Sequence, residues 1–357
     1  RGMSSAASDV YKRQEGAFLG LAAKDGPVDV AIVPLAYELT TSYGTGACDG
    51  PQACIEASGQ VELYDDRLGT DLPAGVNVAT EPVWEGTAPT LRGQLDELAN
   101  HASGFYTGHL FPLFLGGEHG ILPPLMHAAR HHPAVNGDLR SLTVVQLDAH
   151  ADLREELDGE VFSHACAASR SLDVGVGRVL QAGVRAYSMD EALRIRDDDR
   201  LTTFFARDTQ HPHTGASVWN RWLETISELS GPVHFTLDID GLDGALVPAT
   251  GTPVPGGLNY WQAVETIEAL FANPDVVVVS ADINEIVAQK DTPLTQFTAA
   301  CLASKIVANH VLARKEGRWV AHETSASATP STYFENFQPT PFSTNNMHRT
   351  GERGVGS

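Results

Sequence analysis

The stretch Val-Gln-Leu-Asp-Ala-His-Ala-Asp at residues 145–152 decides how the rest of this sequence is interpreted. It begins inside an apolar run, Leu142–Leu147, whose length predicts a buried strand. Side chains at alternate positions of a strand share one face, so Asp148, His150 and Asp152 would converge just beyond its carboxyl end. Ligands of open α/β sheets bind at that end, and divalent metals accept carboxylate and imidazole donors. The stretch therefore predicts a metal site, with a solvated polar loop as the alternative.

Strands and helices alternate along most of the sequence. Apolar runs predict strands at residues 28–33, 76–79, 110–115, 142–147, 179–185, 201–206, 233–237 and 275–280. Helical spacing of apolar residues predicts helices at 51–58, 90–106, 121–130, 189–197, 218–229, 260–271 and 294–312, with another beginning at Ser163. This alternation predicts an α/β protein with a mainly parallel sheet covered by helices on both faces, which is a three-layer α/β/α sandwich.

The sequence predicts one domain with different segments at its two ends. No change in composition divides residues 15–323, so we expect a single domain there. Residues 1–14 have no apolar core of the kind found in a signal peptide, and we expect them to be non-native or disordered. Residues 324–357 are rich in Ser, Thr, Pro and Asn and lack periodicity, which predicts a disordered tail.

The composition excludes several classes of function. The net charge of the 357 residues is -21, which disfavours binding to nucleic acid and leaves either a cationic substrate or simple solubility as its role. No run approaches 18 apolar residues, so no membrane span is predicted. The four cysteines show no CxxC pairing, which favours reduced thiols and a cytoplasmic location.

Two further polar clusters follow predicted strands. His119 lies in a glycine-rich turn after the strand at 110–115, and Asp238 and Asp240 follow the strand at 233–237. Each cluster alone has an ordinary structural explanation, as a histidine held in a turn or an aspartate that caps a helix. Together with residues 148–152 they place four carboxylates at one edge of a parallel sheet, where they would repel one another unless cations compensated. The sequence therefore predicts a site for two divalent metals.

These clusters carry a resemblance to a known family. The motifs are Gly-Gly-Glu-His at 116–119, Asp-Ala-His-Ala-Asp at 148–152, Asp-Ile-Asp-Gly-Leu-Asp at 238–243, Pro-Ala-Thr-Gly-Thr-Pro at 248–253 and Gly-Gly at 256–257. In this order, over about residues 28–314, they resemble the ureohydrolases: arginases, agmatinases and guanidino-acid hydrolases. The resemblance implies an arginase-like fold, two Mn²⁺ per subunit with Ni²⁺ in a minority of relatives, and a homotrimer or homohexamer.

The resemblance also implies a role for each metal ligand. It gives one metal to His119, Asp148, Asp152 and Asp238, and the other to His150, Asp148, Asp238 and Asp240, so that Asp148 and Asp238 bridge. Three positions depart from the family pattern: Glu118 stands where Asp is commoner, Gly120 where Ser is usual, and Gly244 where Pro is usual. All six ligands are present, so the departures bear on loop rigidity and on hydrogen bonds around the ligands.

By the same resemblance, a hydroxide that bridges the metals would attack the guanidinium carbon and release urea and an amine. Glu285 would hold the guanidinium, Asp152 would pass a proton to the leaving amine, and His164 would exchange protons with solvent. Thr252 and Arg154 complete the expected substrate-binding residues, together with Glu285 and His164. Taken alone, Glu285 and His164 would be interpreted as loop and helix-terminal residues.

The substrate is less well defined than the chemistry. The Ser-Gly-Asn-x-His-Gly loop of arginases is absent, and the acidic loop Leu153–Ser163 stands in its place. Agmatine, which would give putrescine and urea, fits such a loop best. Arg154 instead suits a guanidino acid, so guanidinobutyrate and guanidinopropionate stay open, as do arginine, free guanidine and formimidoylglutamate. The remote alternatives are a non-catalytic paralogue and an arginase-fold deacetylase, whose paired-histidine motif His131-His132 matches only poorly.

Overall fold

Parallel strands form the centre of the molecule, as the sequence predicted. The computed structural model describes residues 14–321 and 332–340. In this part of the chain one sheet holds eight strands in the order β4-β1-β5-β10-β9-β6-β7-β8, and every pairing within it is parallel. These strands are β1 Val30–Pro34, β4 Val78–Thr80, β5 Phe111–Leu115, β6 Thr143–Leu147, β7 Arg178–Val184, β8 Leu201–Phe205, β9 Gly231–Asp238 and β10 Val276–Asn284.

Helices cover both faces of this sheet, which confirms the three-layer α/β/α sandwich. One layer packs around the buried side chains Leu98, Leu125 and Leu172, and contains α2 Leu91–Ser103, α3 Leu122–Ala129, α4 Ala167–Val174 and α10 Tyr333–Asn336. The other packs around Trp222, Ile267 and Leu302, and contains α1 Gly50–Ser58, α7 Gly215–Ser227, α8 Tyr260–Ala272 and α9 Leu294–Lys315. The shorter helices α5 Met189–Asp197 and α6 Ala206–Thr209 lie near the edge strand β8.

The strand order places a crevice at the middle of the sheet. Strands β4, β1 and β5 form one side of the sheet, and β6, β7 and β8 form the other. The last two strands, β9 and β10, then fill the gap between β5 and β6. The helices after β5 and β6, α3 and α4, lie in one layer, and those after β9 and β10, α8 and α9, lie in the other. The loops of neighbouring strands therefore diverge between β5 and β10 and between β9 and β6, and open a crevice at the carboxyl edge, which is where α/β sheets bind ligands.

Two segments differ from the sequence prediction near the strands. Between residues 59 and 88 the sequence predicted only the strand at 76–79. The structure adds β2 Tyr64–Asp65 and β3 Thr70–Asp71, which form a short antiparallel pair. The strand predicted at 275–280 continues to Asn284, because Asp282 and Asn284 find hydrogen-bond partners inside the sheet. This extension carries the chain directly to Glu285.

The predicted disorder of the tail is wrong for residues 332–340. Phe334 and Phe337 are buried against the domain, and Asp96 of α2 accepts hydrogen bonds from the backbone N–H groups of Phe334 and Glu335. Burying two aromatic rings offsets the entropy lost when the segment is ordered. The predictions for residues 1–13, 322–331 and 341–357 lie outside the described residues. Within the described ranges, no helix has both the length and the apolar character that a membrane span requires.

Candidate metal centre and active site

The three predicted clusters meet at the crevice. His119 begins the turn that follows β5, Asp148 follows β6, and Asp238 ends β9. The Nδ1 atom of His119 lies 2.8 Å from Asp152 Oδ2, 3.1 Å from Asp148 Oδ2 and 3.8 Å from Asp238 Oδ2. One imidazole nitrogen thus faces three carboxylates contributed by two different strands.

A second group of ligands lies on the other side of Asp148. The Nδ1 atom of His150 lies 3.1 Å from Asp240 Oδ2 and 3.7 Å from Asp148 Oδ1. The two oxygens of Asp148 therefore face different histidines, and this carboxylate belongs to both candidate metal-binding groups. All six predicted ligands are brought together, and a position between two ion sites is the one expected of a bridging carboxylate.

Hydrogen bonds around His119 define which of its nitrogens faces the carboxylates. The Thr236 hydroxyl donates to Asp282 Oδ1 at 2.6 Å, so its oxygen accepts from His119 Nε2–H at 2.9 Å. In that tautomer the lone pair of Nδ1 points at the carboxylates, and Nδ1 makes no hydrogen bond to any described residue. A lone pair that faces carboxylate oxygens is repelled unless a cation lies between them, so the donor set fits a bound metal.

The charges of the site lead to the same conclusion. Burial raises the pKa of Asp238, and the charges of Asp240 and Asp148 raise it further. Burial and the charge of Asp148 raise the pKa of Asp152 to about 7. Burial alone would lower the pKa of His119, but the carboxylates of Asp148 and Asp152 close to its ring raise it. Each of these raised pKa values means that the site favours added positive charge. Bound divalent ions would supply that charge.

A row of hydrogen bonds runs across three strands and ends on Asp148. Thr203 of β8 donates to Gln181 of β7 at 3.0 Å, Gln181 donates to Gln146 of β6 at 3.0 Å, and Gln146 donates to Asp148 Oδ2 at 2.7 Å. Parallel register pairs these residues directly, since Gln146 lies opposite Gln181 and Gln181 opposite Thr203. Both glutamines are fully buried. The row therefore fixes the orientation of the carboxylate that both metal groups share.

We expect Gln146→Leu to weaken metal binding by about 10- to 100-fold, because the substitution removes the amide that orients Asp148. Competition with a chelator measures this change without any assay of activity. Thr203→Val is the matched control: it breaks the far end of the row and leaves the bond between Gln146 and Asp148, so its effect should be much smaller. Unchanged metal affinity in Gln146→Leu would show that the row has no part in positioning the ligand.

Glu285 lies beside His119, as its place in the predicted site requires. Its Oε1 accepts the backbone N–H of His119 at 2.8 Å, and its own N–H donates to Gly117 O at 2.7 Å. The residue is buried and adopts a left-handed backbone with φ of 62°, a conformation that non-glycine residues reach only at a cost. Asp152 shares this feature, with φ of 53°. Two of the residues predicted to act in catalysis are thus held in strained backbone.

His164 stands at the opposite wall of the site. Its backbone N–H donates to Thr40 Oγ1 at 2.9 Å, and its ring nitrogens lie 3.3 Å from Thr40 Oγ1 and 3.4 Å from Ser42 Oγ. Burial lowers the pKa of His164 and so favours the neutral form of its ring. A cleft of about 330 Å³ opens here, lined by Ser42, His150, Asp152, Arg154, Leu157, His164, Ala165, Ala186, Tyr187, Glu191 and Thr252.

The cleft differs from the prediction in which residues give it negative charge. The carboxylates of the loop 153–163 do not line it: Glu155 pairs with Arg170 and Arg194, and Glu160 accepts the N–H of Phe162. Apart from the predicted ligand Asp152, the carboxylate that lines the cleft is Glu191 of α5. Its Oε2 lies 3.9 Å from Arg154 Nε, so the predicted substrate-binding residue Arg154 has a negative charge beside it.

Glu118 and Gly120 prove to be one joint departure from the family pattern. Glu118 is buried, and its carboxylate accepts from the Thr40 hydroxyl at 2.8 Å and from the Thr40 N–H at 2.7 Å. It therefore holds the residue that in turn holds His164. A Cβ atom at position 120 would lie 3.0 Å from Glu118 Oε1 and 3.3 Å from the ring of Tyr37. The longer acid occupies the space that a serine at 120 would use.

We expect Gly120→Ser to destabilise the protein by about 1–3 kcal/mol, because the added side chain overpacks the space beside Glu118. In a Glu118→Asp background the same substitution should cost less than half as much, since the shorter acid vacates that space. Thermal unfolding of the four proteins of this double-mutant cycle, at equal metal loading, measures the coupling. An equal penalty in both backgrounds would contradict the joint departure.

The third departure, Gly244, lies in open space with no neighbouring atom that a larger residue would meet. The loop that follows is held instead by Asp243, which accepts N–H groups from Ala245, Gly256 and Gly257 at 2.8–3.2 Å. The loop therefore has a firm anchor without the usual proline. At its far side, Thr252 Oγ1 lies 3.4 Å from Asp240 Oδ2, which joins this predicted substrate residue to a predicted metal ligand.

Several residues of the site were not predicted. Thr40 and Ser42 contact His164, Thr236 and Asp282 support His119, and Glu191 lines the cleft. The sequence does hold a signal for two of them: polar residues alternate at 234, 236 and 238 and again at 280, 282 and 284, inside otherwise apolar strands. Period-two polarity in a strand indicates one polar face, which here is buried.

A parallel α/β/α sandwich with imidazole and carboxylate ligands at its carboxyl edge is the architecture of a metal-dependent hydrolase. The chain belongs to the arginase family, whose family model matches residues 28–309. This confirms the resemblance to ureohydrolases that the motifs carried. The family depends on a binuclear metal centre, and the groups around Asp148 are able to bind metal.

Individual relatives agree with this assignment. The N(1)-aminopropylagmatine ureohydrolase of Synechocystis sp. is 32% identical over 285 residues, which cover 78% of this chain and 88% of that protein. The agmatinase of Pyrococcus horikoshii is 29% identical over 78% of this chain and 91% of its own. The solved structure of the agmatine ureohydrolase of Thermoplasma volcanium aligns with a TM-score of 0.68 at 25% identity, over 81% of this chain and 92% of that one.

Proposed function

We propose that this protein is an agmatinase-like ureohydrolase, which cleaves agmatine to putrescine and urea with two Mn²⁺ ions per subunit or, as the alternative, Ni²⁺. The observation that carries the proposal is the position of Asp148, whose two oxygens face two separate groups of ligands. The names of the relatives, agmatinase and aminopropylagmatine ureohydrolase, support a guanidine that carries an amine at its far end.

The metals would be held by His119, Asp148, Asp152, Asp238, His150 and Asp240, and when bound they lower the pKa of water so that hydroxide forms at neutral pH. Glu285 holds the guanidinium by charge-assisted hydrogen bonds. Addition of the hydroxide oxygen would make the guanidinium carbon tetrahedral, and the bond from that carbon to the amine nitrogen would then break. Asp152 would take the proton that the added oxygen still carries and give it to that nitrogen, so that urea and the amine leave. His164, which lines the cleft, would exchange protons with solvent.

The pair formed by Arg154 and Glu191 bears on the substrate. Arg154 suits the carboxylate of a guanidino acid, but Glu191 at 3.9 Å offsets its charge. The cleft therefore has little net attraction for a carboxylate, which favours agmatine over guanidinobutyrate, guanidinopropionate and arginine. A second candidate is N(1)-aminopropylagmatine. A cavity of about 300 Å³ shares Arg154 with the cleft and carries Glu156 and Asp190, where a longer cationic chain would extend.

The remaining proposals concern the whole protein. A homotrimer or homohexamer follows from the family resemblance, and a cytoplasmic location from the absence of cysteine pairing in the sequence. We also keep residues 15–323 as a single ureohydrolase domain. Size-exclusion chromatography with light scattering tests the assembly directly.

Urea release tests the proposed function. Protein loaded with Mn²⁺ or with Ni²⁺ is offered agmatine, N(1)-aminopropylagmatine, guanidinobutyrate, guanidinopropionate, arginine and guanidine. We expect the first two to be hydrolysed with the highest kcat/KM. If a guanidino acid is turned over faster than agmatine, that acid and not agmatine is the substrate. If none of the compounds yields urea, the proposed ureohydrolase function is refuted.

A further inference from the structure

The C-terminal segment, residues 332–340, lies beyond residue 309, where the match to the family model ends. It nevertheless packs beside the catalytic loop rather than at a remote face. Tyr333–Asn336 forms the short helix α10, and its Phe334 side chain is fully buried. The segment therefore adds to this chain a contact that the family region alone does not supply.

Two side chains of α2 hold the segment in place. Asp96 is buried, and its two oxygens accept the N–H groups of Phe334 and Glu335, each at 2.9 Å. A carboxylate at the start of a helix is also favoured by the orientation of the backbone dipoles. Arg92 donates to the carbonyl oxygens of Phe334 at 3.2 Å and of Phe337 at 2.8 Å. Both ends of α10 are thus tied to the domain.

The C-terminal segment and Arg92 together enclose the side chain of Phe162. Its ring centroid lies 5.5 Å from that of Phe334 and 5.2 Å from that of Phe337, and the guanidinium carbon of Arg92 lies 5.0 Å from its centroid. Phe162 is only 2% exposed, so the cage is closed. The edge-to-face contact with Phe334, the tilted contact with Phe337 and the guanidinium over the ring each stabilise Phe162 in this position.

Phe162 is two residues from His164 and ends the loop that carries Arg154 and Leu157 into the cleft. We propose that the C-terminal segment, through Phe334, positions this loop for catalysis. Phe334 is a positioning residue: it touches no substrate, and it acts by fixing Phe162 and hence the neighbouring wall of the active site. The loop before His164 is in this protein packed against a segment that lies beyond the residues matched by the family model.

Hydrogen exchange and kinetics of Phe334→Ala, in the full chain, test the proposal. We expect the amides of residues 157–165 to exchange about tenfold faster, because the cage around Phe162 opens. We expect kcat to fall about tenfold at unchanged metal content, because small misplacement of an active-site group is costly. Phe334→Leu, which keeps most of the apolar volume, should restore much of both.

The matched control is Phe271→Ala, which removes an equally buried ring from the opposite helix layer, where it packs on Phe111. It should lower the melting temperature comparably and leave the exchange of residues 157–165 unchanged. Slow exchange of the loop in Phe334→Ala, or equal loop exchange in both variants, would overturn the proposal. The kinetic part rests on the proposed function, whereas the exchange measurement needs no substrate, so failure of one is distinguishable from failure of the other.

Discussion

Asp148→Ala should lose both metal ions and lower turnover by on the order of 1,000-fold or more. Asp148 is fully buried, and its two oxygens face His119 and His150 respectively. Removing a ligand of only one ion would leave the other in place. Removing the shared ligand disrupts both ligand groups at once, and with them the means of forming hydroxide at neutral pH.

Metal content per subunit and urea release measure the two effects together. Because alanine leaves the Gln146 amide without its acceptor and opens a small cavity, Asp148→Asn serves as a second variant that keeps the shape of the site. Asp71→Asn, which changes an exposed carboxylate of β3, is the control and should behave as the unmodified protein. Full metal content in both Asp148 variants would overturn the assignment of this residue as a shared ligand.

Glu285→Gln should keep both metals and lose at least about 100-fold in kcat. Glutamine has nearly the same shape, and its oxygen still accepts the N–H of His119, so the strained backbone at 285 stays as it is. What disappears is the negative charge that would meet the guanidinium. The loss should therefore fall on catalysis and not on the metal centre.

Metal analysis separates this expectation from its alternative. If Glu285→Gln releases a metal ion, Glu285 is a ligand and not a substrate contact. Glu265→Gln provides the control, because Glu265 is an exposed carboxylate of α8 that accepts a hydrogen bond from Trp219 far from the site. Unchanged turnover in Glu285→Gln would show that the charge of Glu285 does not bind the guanidinium.

The sheet was predictable because most of its strands are buried on both faces. Such strands appear in the sequence as apolar runs, and each of the eight was predicted, including the half-buried edge strand β8. The convergence of the six predicted ligand residues was predictable for a related reason: they come directly after those runs, and the carboxyl ends of parallel strands share one edge. Local sequence and one rule of topology are enough for both.

The supports of the ligands could not be predicted in the same way. Thr236 and Asp282 are 46 residues apart and meet only through the parallel register of β9 and β10. Thr40 and His164 are 124 residues apart. The sequence also did not show that the Glu155 side chain turns away from the cleft. It pairs there with Arg170 and Arg194, which come from two later helices. Partners of this kind depend on the folded arrangement, which periodicity along the chain does not contain.

The crowding between positions 118 and 120 links what those two positions can hold. A side chain at position 120 would bring a Cβ atom to 3.0 Å from Glu118 Oε1, so the glutamate carboxylate would have to move. That carboxylate accepts the Thr40 hydroxyl and N–H, and Thr40 Oγ1 in turn accepts the N–H of His164. The absence of a side chain at residue 120 therefore lets Glu118 keep its contacts with Thr40 and, through Thr40, the position of His164 at the cleft.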